Sequence, residues 1–105
     1  MAGLRSFESI KRAALRCVEQ FPDVLAAYIF GSLAKGRTHR NSDVDIAVLV
    51  SDEVIKSDPF RYRLKLAAEL APALRRDDID VVLLNQAPPL LAHRVLRDGK
   101  LILER

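Results

Sequence analysis

The chain has 105 residues, of which 50% are hydrophobic and 30% charged, and its formal net charge is +3. This composition excludes a disordered chain and predicts one globular domain over residues 1–105. The mild positive charge permits contact with nucleotides, RNA or an acidic partner and requires none of them.

Cysteine content and hydropathy bear on the cellular compartment of the protein. Cys17 is the single cysteine, so no internal disulfide can form and nothing in the sequence argues for export. The first residues lack the apolar core of a signal peptide, and no apolar stretch is long enough to span a membrane. These features predict a soluble protein of the cytoplasm. Because aromatic residues are few, direct binding of nucleic acid is not expected.

The first predicted element is a helix over residues 6–21, with Ser6 as its N-cap. Its apolar residues recur at helical spacing and form one stripe. The stripe consists of Phe7, Ile10, Ala14, Cys17, Val18 and Phe21. Since Cys17 lies on this stripe, core packing is favoured over a reactive thiol.

Two strands and a connecting loop follow. Residues 24–30 form a compact apolar run and predict a buried strand. Gly31-Ser32 would then begin a short helical turn that ends at Gly36, followed by a polar loop over residues 37–41. Residues 42–50 predict a second strand that is polar only at its start, which indicates a central position in a sheet.

The second half of the chain predicts two helices and two strands. Residues 51–57 are interpreted as a polar linker, and Asp58-Pro59 opens a helix that Pro72 must kink or end. The predicted inward face of this helix comprises Phe60, Leu64, Ala67, Ala71 and Leu74. Residues 79–84 predict a third strand. Pro88-Pro89 opens a last helix that ends at Gly99.

In this last helix, Leu91, Ala92, Val95 and Leu96 are expected to face inward. Residues 101–103 predict a short terminal strand. The order of elements gives an α/β (α+β) fold, with helices packed on a small mixed β-sheet.

Gly31 and Ser32 are candidate phosphate-binding residues. Glycine lets the backbone approach a ligand closely, and a helix N-terminus offers free N–H groups to phosphate. The Ser32 hydroxyl would add one more donor. Taken alone, this pattern favours an ordinary strand-to-helix turn capped by serine.

Asp43 and Asp45 are candidate metal ligands because residues i and i+2 of a strand share one face. Two adjacent carboxylates repel each other and suit a hard cation such as Mg²⁺. Two solvated acids at a strand end are the alternative. The apolar run that follows Asp45 argues against it, because a charge at the start of a buried strand is costly unless it is paired or bound to metal.

Asp80 is the third candidate, as the only polar residue of its predicted strand. If this strand lies beside the second one, Asp80 points at Asp43 and Asp45. Three converging carboxylates can hold two Mg²⁺ ions, which serve in-line phosphoryl displacement. A turn residue at the strand start is the alternative.

Together, Gly31-Ser32, Gly36, Ser42-Asp43, Asp45 and the later Asp80 resemble the DNA polymerase β-like nucleotidyltransferase superfamily. The small size and the ending Pro-Pro-Leu to Asp98-Gly99-Lys100-Leu101 are similar to its minimal nucleotidyltransferase branch. The resemblance implies a nucleotidyltransferase fold in which Asp43 and Asp45 bind both Mg²⁺ ions and Asp80 completes the second site. It also implies that Gly31 and Ser32 hold the β- and γ-phosphates of ATP.

Lys35 and Arg37 lie in the same predicted loop and are candidates to neutralise the triphosphate, although a solvated loop is nearly as good an interpretation. His39 and Arg40 share that ambiguity. His93 and Arg94 are expected on the surface of the last helix. With two histidines and one cysteine, a zinc site is not expected.

Members of the minimal branch are commonly paired with a HEPN-domain ribonuclease toxin. The resemblance implies an antitoxin that transfers AMP from ATP to a tyrosine of such a partner. Little chain follows the predicted catalytic core, so the acceptor is expected to supply its own binding surface. The alternatives are a binding protein that covers its partner without catalysis, and nucleotidyl transfer to RNA or to a small molecule.

Overall fold

The computed structural model describes residues 3–4, 6–31, 34 and 43–105. Helices α1 (Phe7–Glu19), α2 (Asp52–Lys56), α3 (Pro59–Leu74) and α4 (Pro89–Asp98) accompany strands β1 (Val24–Phe30), β2 (Val44–Val50), β3 (Ile79–Leu83) and β4 (Lys100–Glu104). A short 3₁₀ helix over Leu84–Gln86 follows β3. The mixed α/β fold predicted from the sequence is confirmed. The predicted loop over residues 37–41 lies outside the described residues.

The four strands form one mixed sheet in the order β3-β2-β1-β4. β1 is antiparallel to both β2 and β4, whereas β2 and β3 run parallel. The central position predicted for β2 is therefore confirmed. Because β2 and β3 are parallel, their amino-terminal ends lie at the same edge of the sheet.

One face of the sheet carries the main core under α1 and α3. Alternate residues of β2, namely Val44, Ile46 and Val48, are buried in it. Helix α1 contributes the predicted stripe, with Ile10, Ala14 and Val18 fully buried. On the opposite face, Ala26, Ala47 and Val95 are also buried but lie outside this core cluster.

Two predicted helix caps are confirmed. The Ser6 hydroxyl accepts a hydrogen bond from the Ser9 N–H at 3.1 Å. The Asp58 carboxylate accepts one from the Arg61 N–H at 3.0 Å. These bonds satisfy N–H groups that the first turn of a helix leaves without partners.

The inward face predicted for α3 is confirmed at Leu74 but wrong at Phe60 and Leu64. Phe60 and Leu64 are 61% and 49% exposed, while Leu66, Leu70 and Leu74 are fully buried. Both sets obey helical spacing, so α3 carries two apolar rows. The row of leucines packs in the core beside residues of α1 and β3 and buries more aliphatic surface than a row completed by alanines.

Pro72 does not end α3, since the helix continues to Leu74. Arg75 ends it by adopting a left-handed conformation, with φ 55°. The Arg75 N–H donates to the Pro72 carbonyl oxygen and the Arg76 N–H donates to that of Ala71. These bonds satisfy carbonyl groups of the last turn.

Two further expectations are corrected. Residues 51–57 are not a plain linker, because they contain α2, whose Val54 is buried in the core. Leu96 was expected to face inward but is 61% exposed, and Val95 alone on α4 is fully buried. Gly99 ends α4 as predicted, although with extended backbone. None of the described helices combines the length and apolar character that a membrane crossing needs.

The two rows of α3 can be compared by one matched pair of substitutions. Leu66→Ala should lower the free energy of unfolding by about 2–4 kcal/mol because it leaves a cavity in the core. Leu64→Ala makes the same chemical change at an exposed position and should cost less than about 1 kcal/mol. Urea denaturation measures both, and equal losses would contradict the assignment of the inward face.

Candidate active site

Two of the predicted carboxylates are direct neighbours in the sheet. Asp45 is the second residue of β2 and pairs with Asp80, the second residue of β3. Paired residues of adjacent strands project from the same face. This face lies opposite the main core, because Ile46 and Val81, the next pair along, are buried in that core. Asp43 immediately precedes β2 and is exposed.

The register that brings Asp45 beside Asp80 is fixed from both sides. Val44 is buried between Asp43 and Asp45, and its N–H donates to the carbonyl oxygen of Asp78 at 3.0 Å. The Asp78 carboxylate in turn accepts two hydrogen bonds from Arg76, at 2.8 and 2.5 Å. These bonds lower the pKa of Asp78 and raise the pKa of Arg76.

Arg76 and Asp78 are therefore positioning residues that the sequence pattern did not single out. The bidentate ion pair orders the turn that leads into β3. The Arg76 guanidinium also donates to the Leu4 carbonyl oxygen at 2.9 Å. The sequence does place an arginine two residues before an aspartate at the start of a strand. This spacing alone does not predict a salt bridge between them.

The carboxylates make an electrostatically costly site. Asp45 is half-buried, and burial raises its pKa to about 6, with the negative charges of Asp80 and then Asp43 adding to the increase. A carboxylate in this position favours any cation that can compensate it.

Gly31 closes the site from the end of β1, where Phe30 pairs with Asp45. Its φ is +78°, a conformation that side chains other than glycine rarely adopt. A Cβ atom at this position would overlap a carboxylate oxygen of Asp45 and lie 3.3 Å from its Cγ. The backbone of Gly31 therefore lies close to the Asp45 carboxylate, at a position that disfavours any side chain, and the predicted role of Gly31 toward a phosphate stays a prediction.

Known proteins of similar sequence and fold identify the family. Residues 14–105 match the family model described as polymerase beta, nucleotidyltransferase. The chain belongs to this family. The nucleotidyltransferase fold predicted from the motifs is thereby confirmed.

Three similar proteins are informative. A protein adenylyltransferase MntA from Shewanella oneidensis is 40% identical over 78% of this chain, which spans 55% of that relative's length. A crystal structure of a toxin–antitoxin with AMP-PNP superposes with a TM-score of 0.77 at 34% identity, covering 90% of this chain and 73% of that one. The structure of a tri-AMPylated Shewanella oneidensis HEPN toxin in complex with MNT antitoxin superposes with a TM-score of 0.71 at 28% identity, over 93% of this chain and 72% of that one.

The carboxylate donors of this site fit Mg²⁺, since carboxylate oxygens are ligands that the ion prefers. Within the described parts of the chain, however, no three histidine, cysteine or acidic side chains already form a group that could hold an ion. Asp43, Asp45 and Asp80 would therefore have to turn toward a common point. Their role as metal ligands stays a prediction.

Several predicted residues are not among those described. Ser32, Lys35 and Arg37 lie outside the described residues, as do Gly36, His39 and Arg40. Their assigned roles in nucleotide binding remain predictions. His93 and Arg94 are exposed on α4, as expected.

The charge on Asp45 should cost stability. Its folded-state pKa of about 6 exceeds the value of about 3.9 expected in an unfolded chain. The folded state therefore binds this proton more tightly, and its stability falls as the pH rises from about 4 to about 6. In EDTA at pH 7, Asp45→Asn should stabilise the fold by about 1 kcal/mol, a value reduced for the water that reaches this group.

Urea denaturation across this pH range measures the effect. The difference between Asp45→Asn and the unsubstituted protein should disappear below about pH 4. Asp77→Asn, at an exposed position in the turn before β3, is the control and should show no comparable gain. A neutral or destabilising Asp45→Asn at pH 7 would contradict the electrostatic account.

The contact between Gly31 and Asp45 predicts coupling between the two positions. Gly31→Ala should cost about 1–3 kcal/mol, because it combines a strained φ with overlap against the carboxylate. In an Asp45→Ala background the overlap is absent and only the strain remains, so Gly31→Ala should cost less. A double-mutant cycle of unfolding free energies tests this, and strictly additive losses would show that the two residues do not interact.

Proposed function

We propose that this chain is a Mg²⁺-dependent nucleotidyltransferase that transfers AMP from ATP to a tyrosine of a HEPN-domain toxin and so acts as its antitoxin. The observation that carries the proposal is the pairing of Asp45 with Asp80 on one open face, beside the close approach of Gly31. Family membership supports the proposal. Two solved relatives also support it, one a toxin–antitoxin with AMP-PNP and the other a tri-AMPylated HEPN toxin in complex with MNT antitoxin.

Asp43, Asp45 and Asp80 are the residues that would hold the metal. When bound, Mg²⁺ lowers the pKa of the attacking hydroxyl and neutralises charge on the leaving pyrophosphate. In the transfer, the tyrosine oxygen forms a bond to the α-phosphorus of ATP, and the bond between this phosphorus and the bridging oxygen of pyrophosphate breaks. Asp80 is exposed at the start of β3, and we propose that it accepts the proton of the attacking hydroxyl.

The nucleotide would lie against the end of β1. Gly31 brings the backbone next to the Asp45 carboxylate, and we propose that the phosphates of ATP bind beside this segment. Ser32, Lys35 and Arg37, which follow in the sequence, are proposed to bind the β- and γ-phosphates. Use of ATP also agrees with the cytoplasmic location that the sequence predicts.

The intact mass of a HEPN-domain toxin co-expressed with this chain tests the proposal. With the unsubstituted protein, the partner should gain whole AMP units. Asp43→Asn and Asp45→Asn should each reduce this gain by about a hundredfold or more, as expected when a group that stabilises transition-state charge is lost. Asp52→Asn, an exposed acid on α2, is the matched control and should leave modification unchanged.

The same experiment separates catalysis from simple binding. If the partner stays unmodified yet is bound and inactive with every variant, the chain neutralises it without nucleotidyl transfer, and the proposal fails. Circular dichroism of the Asn variants confirms that a loss of activity does not reflect a loss of fold.

A further inference from the structure

The face of the sheet that carries Asp45 and Asp80 continues into an apolar surface. Val82 follows Asp80 by two residues on β3, and Leu49 follows Asp45 by four residues on β2. Because side chains alternate along a strand, both project from the same face as the carboxylates. The register agrees, since Val82 pairs with Ala47, which lies between Asp45 and Leu49 on that face. We call Val82 and Leu49 the apolar shelf.

The apolar shelf is open to solvent although it lies on a parallel pair of strands. Leu49 is 38% exposed and is the one exposed residue of the central strand β2. Val82 is partly exposed. Helix α4, whose buried Val95 lies on this face, packs mainly against β1 and leaves the shelf uncovered. Parallel strands are usually covered on both faces, so an exposed leucine here indicates a binding surface.

The apolar shelf begins directly beside the carboxylates. Asp80 and Val82 are about 6.6 Å apart along β3, since a strand rises about 3.3 Å per residue. Leu49 lies diagonally across from Val82 on the neighbouring strand, at about 8 Å. A ligand that reaches Asp80 along this part of the face therefore passes over Val82 and Leu49.

The order of residues across the sheet places the apolar shelf on the side of the acceptor. On this face Asp45 lies between Asp80 on β3 and Phe30 on β1. Gly31 follows Phe30, and the leaving pyrophosphate is proposed to bind beside it. In an in-line displacement the attacking and leaving oxygens lie on opposite sides of the phosphorus. The acceptor hydroxyl would therefore approach from the side of Asp80, where the shelf begins.

The dimensions of the apolar shelf match a tyrosine side chain. The step of about 6.6 Å from Asp80 to Val82 is close to the length of tyrosine from its β-carbon to its hydroxyl oxygen. A tyrosine whose hydroxyl lies at Asp80 would place its ring against Val82 and its backbone near Leu49. A serine or threonine hydroxyl, one bond from the β-carbon, would instead bring the acceptor backbone against the carboxylates.

The apolar shelf is held in place from both ends. The Asn85 side chain accepts a hydrogen bond from the Val50 N–H and donates one to the Val50 carbonyl oxygen, both at 2.9 Å. These bonds fasten the chain after β3 to the end of β2, next to Leu49. Arg63 donates to the Val81 carbonyl oxygen at 3.4 Å, next to Val82. A surface ordered in advance lowers the entropic cost of binding.

We propose that the apolar shelf binds the acceptor tyrosine and so selects tyrosine as the residue that receives AMP. This inference rests on the proposed function and names the acceptor-binding part of the same site. Val82 contacts the tyrosine ring, and Leu49 contacts apolar side chains next to that tyrosine in the acceptor. The shelf contacts neither the metal nor the phosphates of ATP.

Steady-state transfer of AMP to a HEPN-domain toxin that the unsubstituted chain modifies tests the apolar shelf. Val82→Thr keeps the side-chain shape but adds a hydroxyl, and Leu49→Ser removes an apolar contact. Each should raise the KM for the toxin by about fivefold or more, as expected for the loss of apolar contact. The affinity for AMP-PNP, measured by calorimetry in Mg²⁺, should change less than about twofold because the nucleotide does not touch the shelf.

Leu101→Ser is the matched control. Leu101 is 44% exposed and pairs with Tyr28, so it projects from the same face of the sheet on the far side of β1 from Asp80. The KM for the toxin should not change in this variant. Thermal unfolding shows which variants keep their fold.

Methyl NMR tests the same contact without any substitution in this chain. A toxin whose acceptor tyrosine is replaced by phenylalanine keeps the ring and cannot be modified. Its addition should shift the methyl signals of Leu49 and Val82 and leave those of Leu101 in place. AMP-PNP with Mg²⁺ alone should shift the Leu49 signals much less than the toxin does.

The outcomes distinguish the two proposals. If the affinity for AMP-PNP falls as much as the KM for the toxin rises, the shelf holds the nucleotide and the inference is overturned. If neither value changes and the methyl signals stay in place, the acceptor binds elsewhere and the inference also fails. In both cases the unsubstituted chain still modifies the toxin, so the proposed function stands. An unsubstituted chain that modifies no HEPN-domain toxin overturns the proposed function and this inference with it.

Discussion

The structure depends on one unfavourable contact, the meeting of Asp45 and Asp80 across the parallel strands β2 and β3. The hydrophobic core enforces it, because Val44, Ile46 and Val81 must be buried on the other face. Since side chains alternate along a strand, burial of these residues places both carboxylates together. The stability of the core therefore maintains a pair of charges that would separate in an unfolded chain.

The elements around this pair are arranged to keep it in place. Arg76 and Asp78 order the turn into β3, and the Val44 N–H joins that turn to the start of β2. From the other side, β1 ends in Gly31, whose positive φ and missing side chain allow its backbone to contact the Asp45 carboxylate. Without a cation, the neighbouring carboxylates destabilise the folded state, and a bound cation would relieve this repulsion. Nucleotidyl transfer uses such bound cations.

Much of this site could be predicted from the sequence. Asp45 and Asp80 are conspicuous because each interrupts a run of apolar residues, and the glycine after β1 marks a close approach. The pairing of β2 with β3 joins distant parts of the chain, which a local sequence pattern cannot predict. The sequence analysis could therefore state only what would follow if the two strands were neighbours. The contact of Gly31 with Asp45 depends on that same three-dimensional arrangement and was not foreseen.

Helices α3 and α2 show where local patterns fail. On α3 two apolar rows both fit helical spacing, and only the surfaces of α1 and the sheet decide that Leu66 and Leu70 face inward rather than Phe60 and Leu64. Helix α2 has 5 residues, too few for periodicity to appear. Phe60 and Leu64 therefore form an apolar surface that the fold itself does not bury.

The most direct test of the account is an NMR titration of the Asp45 side-chain carboxyl, with and without Mg²⁺. In EDTA its apparent pKa should lie near the value of about 6 that burial and its acidic neighbours impose. In Mg²⁺ the titration should move to clearly lower pH, because a bound cation favours the ionised carboxylate. A titration that is the same in both solutions would show that Asp45 does not bind the metal, and the proposed catalytic role of the carboxylate pair would have to be abandoned.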